Sequence, residues 1–210
     1  MTALLQFDRV ENDKVEALSF SINAGEMRIL EVHTQEVKSS VIDMALGELL
    51  PNNGVILLHG QPLDTAQQGS IAWIPANGGL ISNLKVWENI TLPLWYHSKR
   101  QIVDTEKSIA YWLSALNLEE QDWEKFTASP VARLVPWERK LAGLLRGLIL
   151  APQILIIDAA LFDEIDASRT EAWINALEKF TREVNGRAVL VVANAATLLP
   201  WKIIQHEITG

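Results

Sequence analysis

The sequence contains no cysteine, so it can build neither a disulfide framework nor a thiolate metal site. It is also short of positive charge: 18 Lys and Arg stand against 26 Asp and Glu, a formal net charge of −8. Binding to a phosphate backbone needs clustered cations, so this balance argues against a nucleic-acid partner. Long hydrophobic runs are missing as well. The longest apolar stretch, Leu141 to Ile157, is broken by Arg146 and Pro152. It is expected to form a buried helix and then a buried strand, with no insertion into a membrane. The first residues, MTALLQFDRVEND, lack the basic start and apolar core of a signal peptide. His33, His59, His97 and His206 are isolated and show no metal-ligand spacing. There is no G-x-S-x-G elbow, and neither a repeat nor a low-complexity linker.

What is present is a globular pattern. Of 210 residues 49% are hydrophobic, enough for one domain with a substantial core. Leu4–Val10 and Val15–Ile22 have the alternation of two short antiparallel strands closing on a turn at Asn23-Ala24-Gly25. Arg28–Val32 is expected as a buried strand and Ser39–Leu49 as the helix after it. Pro51-Asn52-Asn53-Gly54 is a turn. Val55–Gly60 and Ile71–Pro75 are further strands. The character changes from Asn77 onward. Leu84, Val86, Trp87, Ile90 and Leu92 recur at helical spacing, Thr105–Leu118 carries Ile109, Trp112, Leu113 and Leu116 on one face, and Arg139–Leu150 is an apolar helix. Ile154–Asp158 is an apolar run ending in an acid, Ser168–Val184 a helix, and Ala188–Val192 a last buried strand. The fold class is therefore α/β: a mainly parallel sheet flanked by helices, with an N-terminal antiparallel part and an inserted helical subdomain. Residues 1–210 form a single domain on this pattern, with a core of 1–75 and 149–210 and a helical subdomain of 76–148.

The stretch from Met27 to Leu49 has the order of a phosphate-binding loop: apolar strand, turn, Lys38-Ser39-Ser40, amphipathic helix. Its glycines are missing. The pattern G-x-x-x-x-G-K-[ST] would put them at Val32 and Val37, and no glycine occurs between Gly25 and Gly47. Glycine matters there because backbone N–H groups must curl around phosphates where a Cβ would intrude. Val37 is β-branched and ill suited to a positive φ, and Glu36 brings a carboxylate to the place of a phosphate.

Taken with this order of parts, ALSFSINAGEM, LISNLKVWENITLPL and LAGLLRGLILAPQILIID resemble the ATP-binding cassette (ABC) domain of ABC transporters, over nearly the whole chain. The resemblance implies a P-loop NTPase fold of the ABC type, with its loop glycines falling on Val32, Gln35 and Val37, and assigns roles by position. Lys38 would meet the β/γ-phosphates, Ser39 (followed by Ser40) would ligate Mg²⁺, and Asp158 would hold Mg²⁺ through water. The bland alternative is a solvated lysine beside a serine in a helix's first turn, and it is the preferred one. The family's Q-loop glutamine falls on Ala76, the general base on Ala159 and the switch histidine on Asn194. The signature L-S-G-G-Q becomes Leu134-Val135-Pro136-Trp137-Glu138. Proline has no N–H to offer, Trp137 would fill the space, and Glu138 would repel phosphate. No aromatic residue for stacking on adenine occurs in Val10–Asp13. In the D-loop region Asp163, Glu164 and Asp166 compete for one position. Glu164 is either a displaced base or part of a solvated acidic loop.

These losses fall on separate roles while the core remains well patterned. The expectation is a fold kept without ATPase activity: a pseudo-ATPase subunit with a structural or regulatory role on the cytoplasmic face of a membrane permease. It would pair with a second ABC domain, either a paralogue or a copy of itself. It would be cytoplasmic, and bound to the membrane only through that partner. No cofactor is expected; ATP and Mg²⁺ enter only if the chain is instead a divergent but active ATPase. A third reading is a binding module that uses the vacated nucleotide cleft. Of the eight tryptophans, most are expected in the core. Trp87, Trp95 and Tyr96 form the candidate partner surface.

Overall fold

The computed structural model describes residues 3–64, 69–97, 102–183, 186–194 and 207–209. Its contacts divide the chain into two compact units: Met1–Trp73 with Pro152–Ala160 and Glu178–Gly210, and Ile74–Ala151 with Leu161–Leu177.

The first unit holds the sheets. Strands β1 (Leu5–Glu11), β2 (Leu18–Ile22), β4 (Asn53–Leu58) and β5 (Gln61–Pro62) make a four-stranded sheet in the order β2-β1-β4-β5, antiparallel at each pairing. Strands β3 (Met27–Val32), β6 (Ile71–Ile74), β7 (Ile154–Asp158), β8 (Ala188–Asn194) and β9 (Glu207–Thr209) make a five-stranded sheet in the order β6-β7-β8-β3-β9. Here β3 runs parallel to both β8 and β9, and β7 parallel to β8. The α/β class and the antiparallel N-terminal part expected from the sequence are both present.

Helix α1 (Gln35–Ala45) packs into one hydrophobic cluster with both sheets. It contributes Val41, Ile42, Met44 and Ala45, opposite Phe7, Phe20 and Ile56 of one sheet and Leu30, Ile156 and Val192 of the other. Leu30 and Val32, like Ile154 and Ile156, alternate with the pleat, so one face of the parallel sheet meets α1. Leu155, Ile157, Val189 and Val191, on the other face, are also fully buried. A sheet buried on both faces explains why β7 and β8 are continuous apolar runs.

The helix predicted over Ser39–Leu49 starts four residues earlier. Thr34 supplies the reason: it is extended (φ −131°, ψ 163°) and its side chain accepts the Val37 N–H, the geometry of an N-cap.

The second unit is helical: α2 (Val86–His97), α3 (Ile102–Ala115), α4 (Trp123–Ala128), α5 (Pro136–Leu150) and the first turns of α6 (Ala167–Glu183). Helix α5 packs against both α2 and α3. It buries Leu141, Leu144, Leu145 and Leu148, the i, i+3, i+4, i+7 stripe of an amphipathic helix. It begins three residues before the predicted Arg139, because proline at the first helical position carries the φ the helix needs and loses no hydrogen bond there.

Among the described residues no helix is long and apolar enough to cross a membrane, and no group of three or more His, Cys, Asp or Glu is placed to hold a metal ion.

Candidate functional site

The turn from β3 into α1 is the part of the first unit where a phosphate loop would lie, and here it is a capped helix start. Thr34 Oγ1 accepts the Val37 N–H at 3.2 Å, and the Thr34 carbonyl accepts the Lys38 N–H at 3.1 Å. No residue between Gly25 and Gly47 has a positive φ, so the alternating αR–αL nest that cups an anion is absent. The Val37 side chain packs against the hydrophobic cluster. The Glu36 carboxyl is held below its ordinary range by its own backbone N–H and then by the Thr34 hydroxyl. The positive end of α1 thus already faces a carboxylate from the chain itself.

Lys38, one turn further on, is not the solvated lysine preferred from sequence. It is 3% exposed and Asp158 is 6% exposed. Its Nζ lies 2.9 Å from both carboxylate oxygens of Asp158. The Ala160 N–H, 3.0 Å away, donates to the same carboxylate. The burial of Lys38 has a physical cause: α1 packs into one cluster with both sheets, and a lysine on its inner side must find a counter-charge or lose its own. Asp158, at the end of β7, is that counter-charge. Ser39 points outward and is exposed. Ser40 is buried, and its hydroxyl accepts from Asn12 Nδ2 at 3.3 Å. Asn12 also closes its own turn, accepting the Lys14 and Val15 N–H groups at 2.9 Å.

Ala159 is fully buried and has no group that could move a proton. Asn194 ends β8, in register with Val32 of β3. The described part of the first unit therefore joins Lys38 to Asp158 but places no His or Glu at the positions implied for the base and the switch.

In the second unit Ala76 opens a turn that is held by backbone contacts. Gly78 N–H donates to the Pro75 carbonyl at 2.9 Å. Arg146 on α5 donates to the carbonyls of Gly79 (2.8 Å) and Gly78 (3.1 Å), and desolvation lowers its pKa. Gly143 of α5 lies against Gly78 so closely that a Cβ on Gly143 would come 2.4 Å from the Gly78 Cα.

The signature window is half loop and half helix. Leu134 is buried, Val135 is exposed and Pro136 begins α5. Trp137 lies under the Arg169 guanidinium, 4.1 Å from the ring centroid, a cation–π contact. Glu138, expected to repel a phosphate, accepts the Val135 N–H at 3.0 Å and so caps its own helix. Lys140 donates to the Asp163 carbonyl at 2.6 Å. Of the competing acids, Asp166 caps α6: it accepts the Arg169 N–H at 3.0 Å and pairs with the Arg169 guanidinium. Those two contacts, backbone first, hold its carboxyl below the usual value. Glu164 is exposed and left-handed, φ 59°.

On the candidate partner surface Trp95 is 76% exposed and Trp87 half-buried. Tyr96 lies in α2, with its side chain outside the described residues. Thr34, Asn12, Arg146 and Arg169 were not singled out from sequence. Thr34 left a signal, a threonine followed by Gln-Glu before an apolar stripe; Asn12, Arg146 and Arg169 each also reach a partner distant in the chain.

The ABC transporter family model matches residues 15–161. The probable ribonucleotide transport ATP-binding protein mkl of Mycobacterium leprae is 24% identical over 186 residues, 85% of this chain and 52% of the relative. The molybdate/tungstate import ATP-binding protein WtpC of Thermococcus kodakarensis is 22% identical over 178 residues, 83% of this chain and 51% of the relative. The chain thus spans about half the length of these curated relatives. Among solved structures, an ATP-binding subunit of an ABC transporter superposes with a TM-score of 0.79 at 21% identity, covering 93% of this chain and 81% of that one. The cbiO1 structure from Clostridium perfringens, part of the ABC transporter complex cbiONQ, gives 0.75 at 17% identity, covering 92% of this chain and 79% of that one. Likeness at this identity is a likeness of fold.

Proposed function

The chain belongs to the ABC transporter family, and from that premise we propose that it is a pseudo-ATPase subunit of an ABC-type complex, docked on the cytoplasmic side of a transmembrane permease beside a second ABC domain. The observation that carries the proposal is the pairing of Lys38 with Asp158. The cation that would neutralise a nucleotide's phosphates and the carboxylate that would hold its Mg²⁺ neutralise each other. The loop before them is a helix start with its own carboxylate, Glu36, at the positive end. An incoming triphosphate would have to unwind that turn and displace Asp158 from Lys38. Ala159, Ala76 and Asn194 offer neither base, nor water ligand, nor titratable switch in return. The subunit's contribution is then its surface: a fixed partner for the permease and for a competent ATPase.

The same juxtaposition supports a second reading, a divergent active ATPase. Lys38, Ser39 and Asp158 would open around Mg-ATP, and Glu164 would act as base.

Steady-state hydrolysis by the purified chain separates the two. The pseudo-ATPase reading expects no turnover above a protein-free blank. Turnover that disappears in Asp158→Asn and in Glu164→Gln would overturn it in favour of the second.

A further inference from the structure

Strand β2 stands at one edge of the four-stranded sheet and β5 at the other. At the β5 edge the Leu63 N–H donates to the Ile56 carbonyl at 2.8 Å. The alternation of a strand then turns Pro62 outward, where it has no N–H to offer. At the β2 edge the Ile22 carbonyl accepts the Leu4 N–H at 2.9 Å. The same alternation turns the backbone N–H and C=O groups of Ser19 and Ser21 outward. Among the described residues β2 pairs with β1 alone. Natural edge strands are commonly guarded by a lysine, a proline, a bulge or a covering segment. The sequence of β2, LSFSI, holds no proline, no glycine and no charge, in a chain whose net charge is −8. The extra residue in its pairing with β1 lies on β1, between Phe7 and Val10, and leaves β2 regular.

We propose that this edge pairs with itself: a second copy of the chain adds its β2 antiparallel to the first, about a two-fold axis at Phe20. Leu18 then lies opposite Ile22 of the second copy, so the apolar faces of the two sheets continue into one another. Ser19 lies opposite Ser21 of the second copy, and each such pair exchanges both backbone hydrogen bonds. A register shifted by two residues would set Ser19 against Ser19, or Ser21 against Ser21, and make fewer bonds. Charge favours a second copy as the occupant, because two chains of like net charge can meet where the strand itself carries no acid. An antiparallel pair of identical strands is isologous and closed, and Pro62 blocks the other edge of each sheet, so assembly stops at a dimer. Self-pairing needs no nucleotide and is independent of the pseudo-ATPase reading.

The test is analytical ultracentrifugation of the full chain over a range of concentrations, with and without Mg-ATP. The mass should rise with concentration to that of a dimer, equally in both conditions. Ser21→Pro removes an outward N–H and spares the β1–β2 ladder; it should weaken the dimer by about tenfold or more. Because the chain has no cysteine, Ser19→Cys and Ser21→Cys each carry a single thiol. Mixed under mild oxidation the two variants should cross-link to each other, while neither should cross-link alone. That result decides the matter even if Ser21→Pro fails to fold. A chain that stays monomeric at every concentration, or a dimer in which the mixed thiols do not cross-link, overturns the proposal. The pseudo-ATPase reading would be untouched by either outcome, since it stands or falls on nucleotide binding and turnover.

Discussion

The turn after β3 and the turn after β6 both leave a strand of the five-stranded sheet, and they use glycine in opposite ways. After β3, residues 33–37 contain no glycine and wind directly into α1 under a Thr34 cap. After β6, Gly78 and Gly79 have φ of +83° and +62°, and Gly78 sits against Gly143 of α5 with Arg146 bonded to both glycine carbonyls. Glycine is present where backbone must approach backbone and absent where backbone would approach a phosphate. The contrast separates two demands on one fold: packing within the protein, which the turn after β6 serves with glycine, and accommodation of a ligand's phosphates, for which the turn after β3 carries no glycine.

The largest effect should come from removing the charge that closes the first turn. Lys38→Met leaves Asp158 buried without its cation and should cost about 3–5 kcal/mol in urea unfolding. Adding Asp158→Leu should recover most of that loss, since an apolar pair of similar volume is often no worse than a buried ion pair. Two single-mutant losses that simply add would show that Lys38 and Asp158 are not coupled. The second turn should fail differently. Gly143→Ala puts a methyl 2.4 Å from the Gly78 Cα, backbone that cannot yield as a side chain can, at a cost of about 1–3 kcal/mol. Hydrogen exchange should show the loss concentrated in residues 75–79 and α5.

How much of this was legible in the sequence depends on the range of the forces involved. The strands β3, β7 and β8 and the helix α5 were visible because burial on two faces or on one stripe leaves a periodic apolar record. The absence of phosphate-loop glycines was equally plain. The fate of Lys38 was not, because its partner lies 120 residues away and a lone Lys-Ser pair gives no hint of it. Nor did the pattern show Arg169 over Trp137, or Glu138 as a cap where a repelling charge was expected. In each case a contact remote in the chain, or a local cap, decided the role.

Restoring glycine to the turn after β3 should have a smaller effect. Gln35→Gly with Val37→Gly should cost about 1–2 kcal/mol, from helix propensity and lost Val37 packing. It should not create Mg-ATP binding while Lys38 remains paired and Glu36 remains in place; tight binding by this variant would mean that the glycines alone were missing.

The smallest effect concerns pH. Asp166 has a folded-state pKa below its ordinary 3.8. Its ionised cap therefore contributes stability in full above that value and loses it as pH falls through the lower folded pKa. Asp166→Asn should flatten the acid limb of melting temperature against pH and leave its shape above pH 5 unchanged, as differential scanning calorimetry would show.

Equilibrium binding tests whether the closed β3–α1 turn can still hold a nucleotide. Mg-ATP should be titrated to about a hundred times the Kd of an ordinary nucleotide site while the melting temperature is followed. A ligand held by the folded state alone would add about 2.7 kcal/mol at that excess, a rise of roughly 5–10 °C for a chain of this size. The predicted result is no rise. A rise of that size, lost in Asp158→Asn, would mean that Lys38 leaves Asp158 for phosphate and that the turn is open to nucleotide.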